Sequence, residues 1–70
     1  MTHAERLRLE AAIQRATANC LDAIIETEAF KPRYEQKYLI LMREHRERAL
    51  AFQAGADALE EKERRDAQIG

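Results

Sequence analysis

Seventy residues carry 12 basic and 13 acidic side chains, a net charge of −1, and 42 of them are Ala, Glu, Lys, Leu or Arg, the composition of a long helix or coiled coil. That balance argues against a nonspecific polyanion binder, Cys20 alone cannot form an internal disulfide, and with only His3 and His45 beside it no closed metal site can be spaced, so no cofactor is expected. A chain this short rarely draws more than ~3–5 kcal/mol from its own core, which leaves association with another chain as its support.

The first helix is announced by Thr2-His3-Ala4-Glu5, a capping box in which Thr accepts from a first-turn N–H and Glu reaches back. The pattern predicts a helix over 3–29. At 100° per residue, Leu9, Ala12, Ile13, Ala16, Cys20, Ala23 and Ile24 fall on one stripe, with Arg8, Arg15, Asn19, Asp22 and Glu26 on the other side. Leu21 and Ile25 widen the apolar face, so burial is expected to increase toward the carboxyl end. Cys20, on the stripe and away from any basic cluster, reads as a buried small hydrophobe rather than a reactive thiol.

A corner at 30–32 follows. Pro32 has no backbone N–H and pushes Lys31 toward an extended conformation, yet it fits the first position of a new helix.

The second helix is predicted over 32–67. Tyr34, Tyr38, Leu41, His45, Phe52, Ala56 and Leu59 recur at nearly the coiled-coil period and make its inner seam. Together with Ile13, Cys20 and Ile24 these are the expected core and dimer residues. His45 reads as a hydrogen-bonded structural histidine in preference to a metal ligand or pH switch. Gly55 costs on the order of 1 kcal/mol inside a helix, which points to close approach of another backbone or a bend; the seam keeps its phase through Leu59, so one continuous helix is favoured. Residues 60–66 are all charged, with Glu60–Arg64 and Glu61–Arg65 at the favourable four-residue spacing of a solvated helical end.

Tyr38 to Met42 is apolar all round the helix, so one neighbouring helix cannot cover it. On the side away from the seam, Leu39, Arg43, Arg46 and Leu50 form an outer ridge flanked by Gln36 and Gln53, a mixture suited to a protein interface. Tyr38 belongs to the seam by phase, and its position near the corner lets its hydroxyl reach a partner. The expected contact set is Tyr38, Leu39, Arg43, Arg46 and Leu50. The longest run of large apolar residues, Tyr38 to Met42, is far short of the ~20 needed to cross a bilayer, and the amino terminus lacks a signal-peptide core. A cytoplasmic protein without membrane contact is expected.

The fold expectation is therefore all-α: a two-helix antiparallel hairpin that dimerises into a four-helix bundle. The capped first helix, the Phe30-Lys31-Pro32 corner, the longer second helix with Tyr34 and Tyr38 and the charged end resemble small phage-encoded helical-hairpin inhibitors of host regulators, of the anti-quorum-sensing type. That resemblance implies a homodimer that binds a LuxR-type transcription regulator, with a pilus-assembly ATPase as a second kind of target. Similar hairpins serve as RNA-binding bundles and secretion chaperones; the missing basic face departs from the RNA-binding pattern. With no serine, phosphate-cradling loop or His/Cys/carboxylate constellation, a non-enzymatic inhibitor or adaptor is expected.

Overall fold

The computed structural model describes residues 1–27 and 32–69, which form two helices and no strand: α1 (His3–Ile25) and α2 (Pro32–Ile69). Thr2 is extended, with φ −74° and ψ 164°, and its Oγ1 accepts from the Glu5 N–H at 3.1 Å. The Arg6 N–H closes the first turn onto the Thr2 carbonyl at 3.0 Å. One half of the capping box is thus present, and among the described residues no bond returns from the Glu5 carboxylate to the Thr2 N–H.

α1 runs to Ile25, Glu26 and Thr27 follow its last turn, and residues 28 and 29 of the predicted span lie outside the described residues. Thr27 is the physical reason that α1 ends there. Its N–H and its hydroxyl both donate to the Ile24 carbonyl, at 3.1 and 2.8 Å, and this three-residue closure tightens the last turn and ends the α-helical ladder. The predicted corner residues Phe30 and Lys31 lie outside the described residues. α2 begins at Pro32, where a missing N–H costs the helix nothing. It then continues unbroken for 38 residues, through Gly55 and two residues past the predicted end at 67.

The helices lie antiparallel: Arg8 near the start of α1 reaches Asp57 and Glu60, and Gln14 reaches His45. The molecule measures 59 × 18 × 12 Å, its length set by α2, which at ~1.5 Å per residue is about 57 Å long. The seam between them is built on alanine. Among the described residues Ala4, Ala11 and Ala18, seven residues apart on α1, and Met42, Ala49 and Ala56, seven apart on α2, are the buried ones. Leu7, Gln14, Leu21 and Ile25 alternate with the first series, and Tyr38, His45, Phe52 and Leu59 with the second, all half-buried. Small side chains at every seventh position allow two backbones to close on one another, and the larger neighbours then overhang the seam edges.

This assigns α1 a different inner face from the one its volumes suggest. Leu9, Ala12, Ile13, Ala16, Cys20, Ala23 and Ile24 are exposed, with Ile13 48% and Ile24 44% accessible. Cys20 is correspondingly an exposed thiol and not a buried hydrophobe. Nor does burial rise along α1, since Ala4 is as enclosed as Ala18. α2 follows its predicted seam through Tyr38, Leu41, His45, Phe52, Ala56 and Leu59, but Tyr34 is exposed, and Met42 and Ala49 are more deeply buried than the large residues beside them. Five enclosed alanines at roughly 0.8 kcal/mol per buried methyl-sized group contribute only about 4 kcal/mol of transfer energy. Among the described residues no large side chain is fully buried.

Candidate protein-interaction surface

One flank of the hairpin carries a graded series of cross-helix contacts. Arg8 and Arg15 on α1, and Gln53 and Glu60 on α2, are each seven residues apart and therefore repeat on the same edge of the seam. At the open end the Arg8 guanidinium donates through Nε and Nη2 to both carboxylate oxygens of Glu60, at 2.8 and 2.9 Å, and through Nη2 to Asp57 Oδ1 at 2.7 Å. These hydrogen bonds, that to Glu60 foremost, hold the Arg8 proton still more firmly than usual, and the same contact, aided by the Arg8 and Arg64 charges, holds the Glu60 carboxyl below its ordinary range. Glu60 therefore pairs with Arg8 across the hairpin, in place of the Arg64 partner its sequence spacing predicts. Glu61–Arg65 does form, at 2.7 Å.

One heptad toward the closed end, Arg15 Nη1 donates to the Gln53 amide oxygen at 3.1 Å, a charged donor answered by a neutral acceptor. Beyond it lies a notch of about 350 Å³ lined by Arg15, Asn19, Arg46, Ala49, Leu50 and Gln53. Ala49, at 2% exposure, is its floor, and Leu50, at 67%, stands at its rim. Leu39 and Arg43 continue the exposed surface along α2.

Inside the seam, His45 Nδ1 lies 2.6 Å from Gln14 Oε1. With the proton on Nδ1, the ring donates to the amide oxygen, and a polar layer is satisfied between alanine layers. Among the described residues no three His, Cys, Asp or Glu side chains are grouped to hold a metal ion, and no helix is long and apolar enough to cross a membrane.

Of the predicted contact residues, Leu39, Arg43, Arg46 and Leu50 share the exposed flank, whereas Tyr38 is half-buried in the seam. Leu41, His45, Phe52 and Leu59 are half-buried, whereas Ile13, Cys20, Ile24 and Tyr34 are exposed. Sequence reasoning missed Arg15 and Asn19, which α1 brings to the α2 ridge. The available signal was Arg15 itself, an arginine with no carboxylate three or four residues away on either side. Compared with protein-family models, curated proteins and solved structures, the chain matches none.

Proposed function

We propose that this chain is a small non-enzymatic protein-binding module, an inhibitor or adaptor that works in the cytoplasm as a homodimer by covering part of a regulatory protein. The observation that carries the reading is the amount and kind of surface left outside the intrachain seam. The hairpin exposes 5551 Å², whereas a folded monomer of 8.1 kDa is expected to expose about 4,500 Å². The excess, roughly 1,000 Å² per chain, exceeds the ~800 Å² that each partner contributes to an interface of standard size.

Two surfaces share that excess, and their charges allot them to different occupants. The outer stripe of α1 through Leu9, Ile13, Ala16, Cys20 and Ala23 carries no charge, with Ile24 beside it. A two-fold interface sets each patch against its own copy, so a neutral apolar stripe suits a second chain. The opposite assignment would face Arg15, Arg43 and Arg46 with themselves, which like-charge repulsion disfavours. The arginine flank is therefore the surface offered to a different protein, through Leu39, Arg43, Arg46 and Leu50, with Tyr38 supporting it from the seam. The resemblance to phage-encoded hairpin inhibitors makes a LuxR-type regulator the first partner to try.

Capture and unfolding measured on the same variants test this. Leu39→Ala, Arg43→Ala and Arg46→Glu should weaken capture of the regulator while helicity and assembly mass stay as in the parent. Loss of stability in step with capture would place the ridge in the dimer core and refute the assignment. Binding that collapses steeply as salt rises and transfers to RNA would favour a nucleic-acid bundle instead.

A further inference from the structure

Among the described residues no carboxylate forms an ion pair with either arginine at the notch, and their surroundings explain why. Within α1 the side chains one turn from Arg15 are Ala11, Ala12, Ala18 and Asn19. Those one turn from Arg46 within α2 are Met42, Arg43, Ala49 and Leu50, so neither helix supplies a carboxylate at pairing distance. Across the seam Arg15 donates to the Gln53 amide oxygen, a neutral acceptor. Asp22 extends the α1 series Arg8, Arg15 by seven residues, as Arg46 extends Glu60, Gln53, yet no ion pair joins Asp22 to Arg46. At the open end of the same flank, Arg8 is met by two carboxylates. The hairpin thus matches its guanidinium groups at one end and leaves them unmatched where the surface becomes concave and apolar.

We propose that this notch binds an acidic amphipathic segment of the partner protein. An aliphatic side chain of that segment rests on Ala49 against Leu50, and carboxylates on either side of it are taken by Arg15 and Arg46. The proposal rests on the protein-binding reading and deepens it by giving the partner's chemistry. Three observations select this occupant. The volume of about 350 Å³ sits at the lower end of the ~300–1,000 Å³ typical of ligand clefts, enough for side chains from one turn of a helix. The floor is apolar, which a phosphate or sugar cannot use and a leucine-like group can. The planar guanidinium fork matches a carboxylate with two parallel hydrogen bonds, and it is more weakly hydrated than an ammonium, so it gives up water at lower cost. A polynucleotide would need a continuous basic track, and this flank instead runs into Asp57 and Glu60 within one heptad of the notch.

The proposal predicts the role of Asp22 as well. Half-buried on the same flank, it offers the local field a negative charge that competes with an incoming carboxylate. Removing that charge while keeping the shape should strengthen binding.

The test uses the full chain and a fluorescein-labelled synthetic amphipathic peptide with leucines at helical spacing flanked by glutamates, beside an analogue with every glutamate replaced by glutamine and a single-stranded RNA oligonucleotide. Anisotropy should report binding of the acidic peptide and markedly weaker binding of the glutamine analogue and the RNA. Arg15→Gln and Arg46→Gln should each lower the affinity by about tenfold or more, the expected loss of a charge-assisted pair. Arg46→Lys should recover part of the loss, because it restores the charge without the fork, and Asp22→Asn should raise affinity. Equal binding of the acidic and glutamine peptides, preference for RNA, no peptide binding, or binding indifferent to both arginine variants would each overturn the proposal. A changed assembly mass in Arg15→Gln would show that a second copy occupies the notch and would overturn it equally. If the peptide fails while regulator capture persists and is lost in Leu39→Ala, the acidic-segment proposal falls and the protein-binding reading stands; if capture also fails, both fall.

Discussion

Gly55→Ala is the substitution for which the hairpin gives a definite sign. A glycine inside a helix ordinarily reports either a bend or a close neighbour, and α2 passes through Gly55 without a break. A Cβ built there meets only Leu7 Cδ1, at 3.4 Å, an ordinary van der Waals contact with the mobile end of a side chain. The hairpin therefore gives no steric reason for glycine, and alanine should return the helix-propensity difference of about 0.8–1.0 kcal/mol. For a domain of this size that amounts to a rise of roughly 4–8 °C in the unfolding midpoint. Thermal unfolding followed by circular dichroism, with the assembly mass checked alongside, is the assay. Gly55 belongs to the seven-residue series Tyr34, Leu41, Arg48, Gly55 and faces Leu7 of α1. A stabilised protein of unchanged mass supports the reasoning. A lower midpoint would refute it and show that a backbone from another chain lies against Gly55.

The remaining predictions concern charge and the seam. Glu60 has a folded pKa held below its ordinary value near 4.5, so its pairing contributes stability above that value and loses it as pH falls through the lowered folded value. Glu60→Gln should accordingly flatten the acid limb of the stability profile and change little below it; an unchanged acid limb would show that the clasp contributes nothing. Phe52→Ala, which truncates a half-buried seam residue, should cost about 2–4 kcal/mol and abolish cooperative unfolding in so small a protein, and a loss below about 1 kcal/mol would mean that the alanine layers alone hold the helices together.

The two helices differed in how far their sequences could be read. On α2 the large residues Tyr38, His45, Phe52 and Leu59 run beside the buried Met42, Ala49 and Ala56, so bulk marks the inner face closely enough for the continuous helix to be read from it. On α1 bulk marks a different face. Its bulk lies along Leu9, Ile13 and Ile24, while the face it turns to α2 is the alanine series Ala4, Ala11, Ala18. A stripe of single methyl groups carries little hydrophobic signal, and its meaning emerges only against Ala49 and Ala56 on the facing helix. Gln14 would have argued against that face on polarity alone, and it is His45, 31 positions away in sequence, that satisfies it. The ridge on α2 was readable because Leu39, Arg43, Arg46 and Leu50 lie on one helix. The notch was not, because Arg15 and Asn19 reach it only through the antiparallel register. Thr27 likewise ends α1 by a local hydroxyl bond that competes with the helical pattern and has no counterpart in apolar periodicity.

The proposed homodimer requires that a second copy of the hairpin cover the outer stripe of α1. Sedimentation equilibrium of the parent chain beside Ile13→Asp measures this directly. The parent should give about twice the chain mass of 8.1 kDa at micromolar concentration, and Ile13→Asp should fall to the chain mass while keeping much of its helicity. A parent chain that unfolds cooperatively yet remains at 8.1 kDa at every concentration would contradict the proposed homodimer.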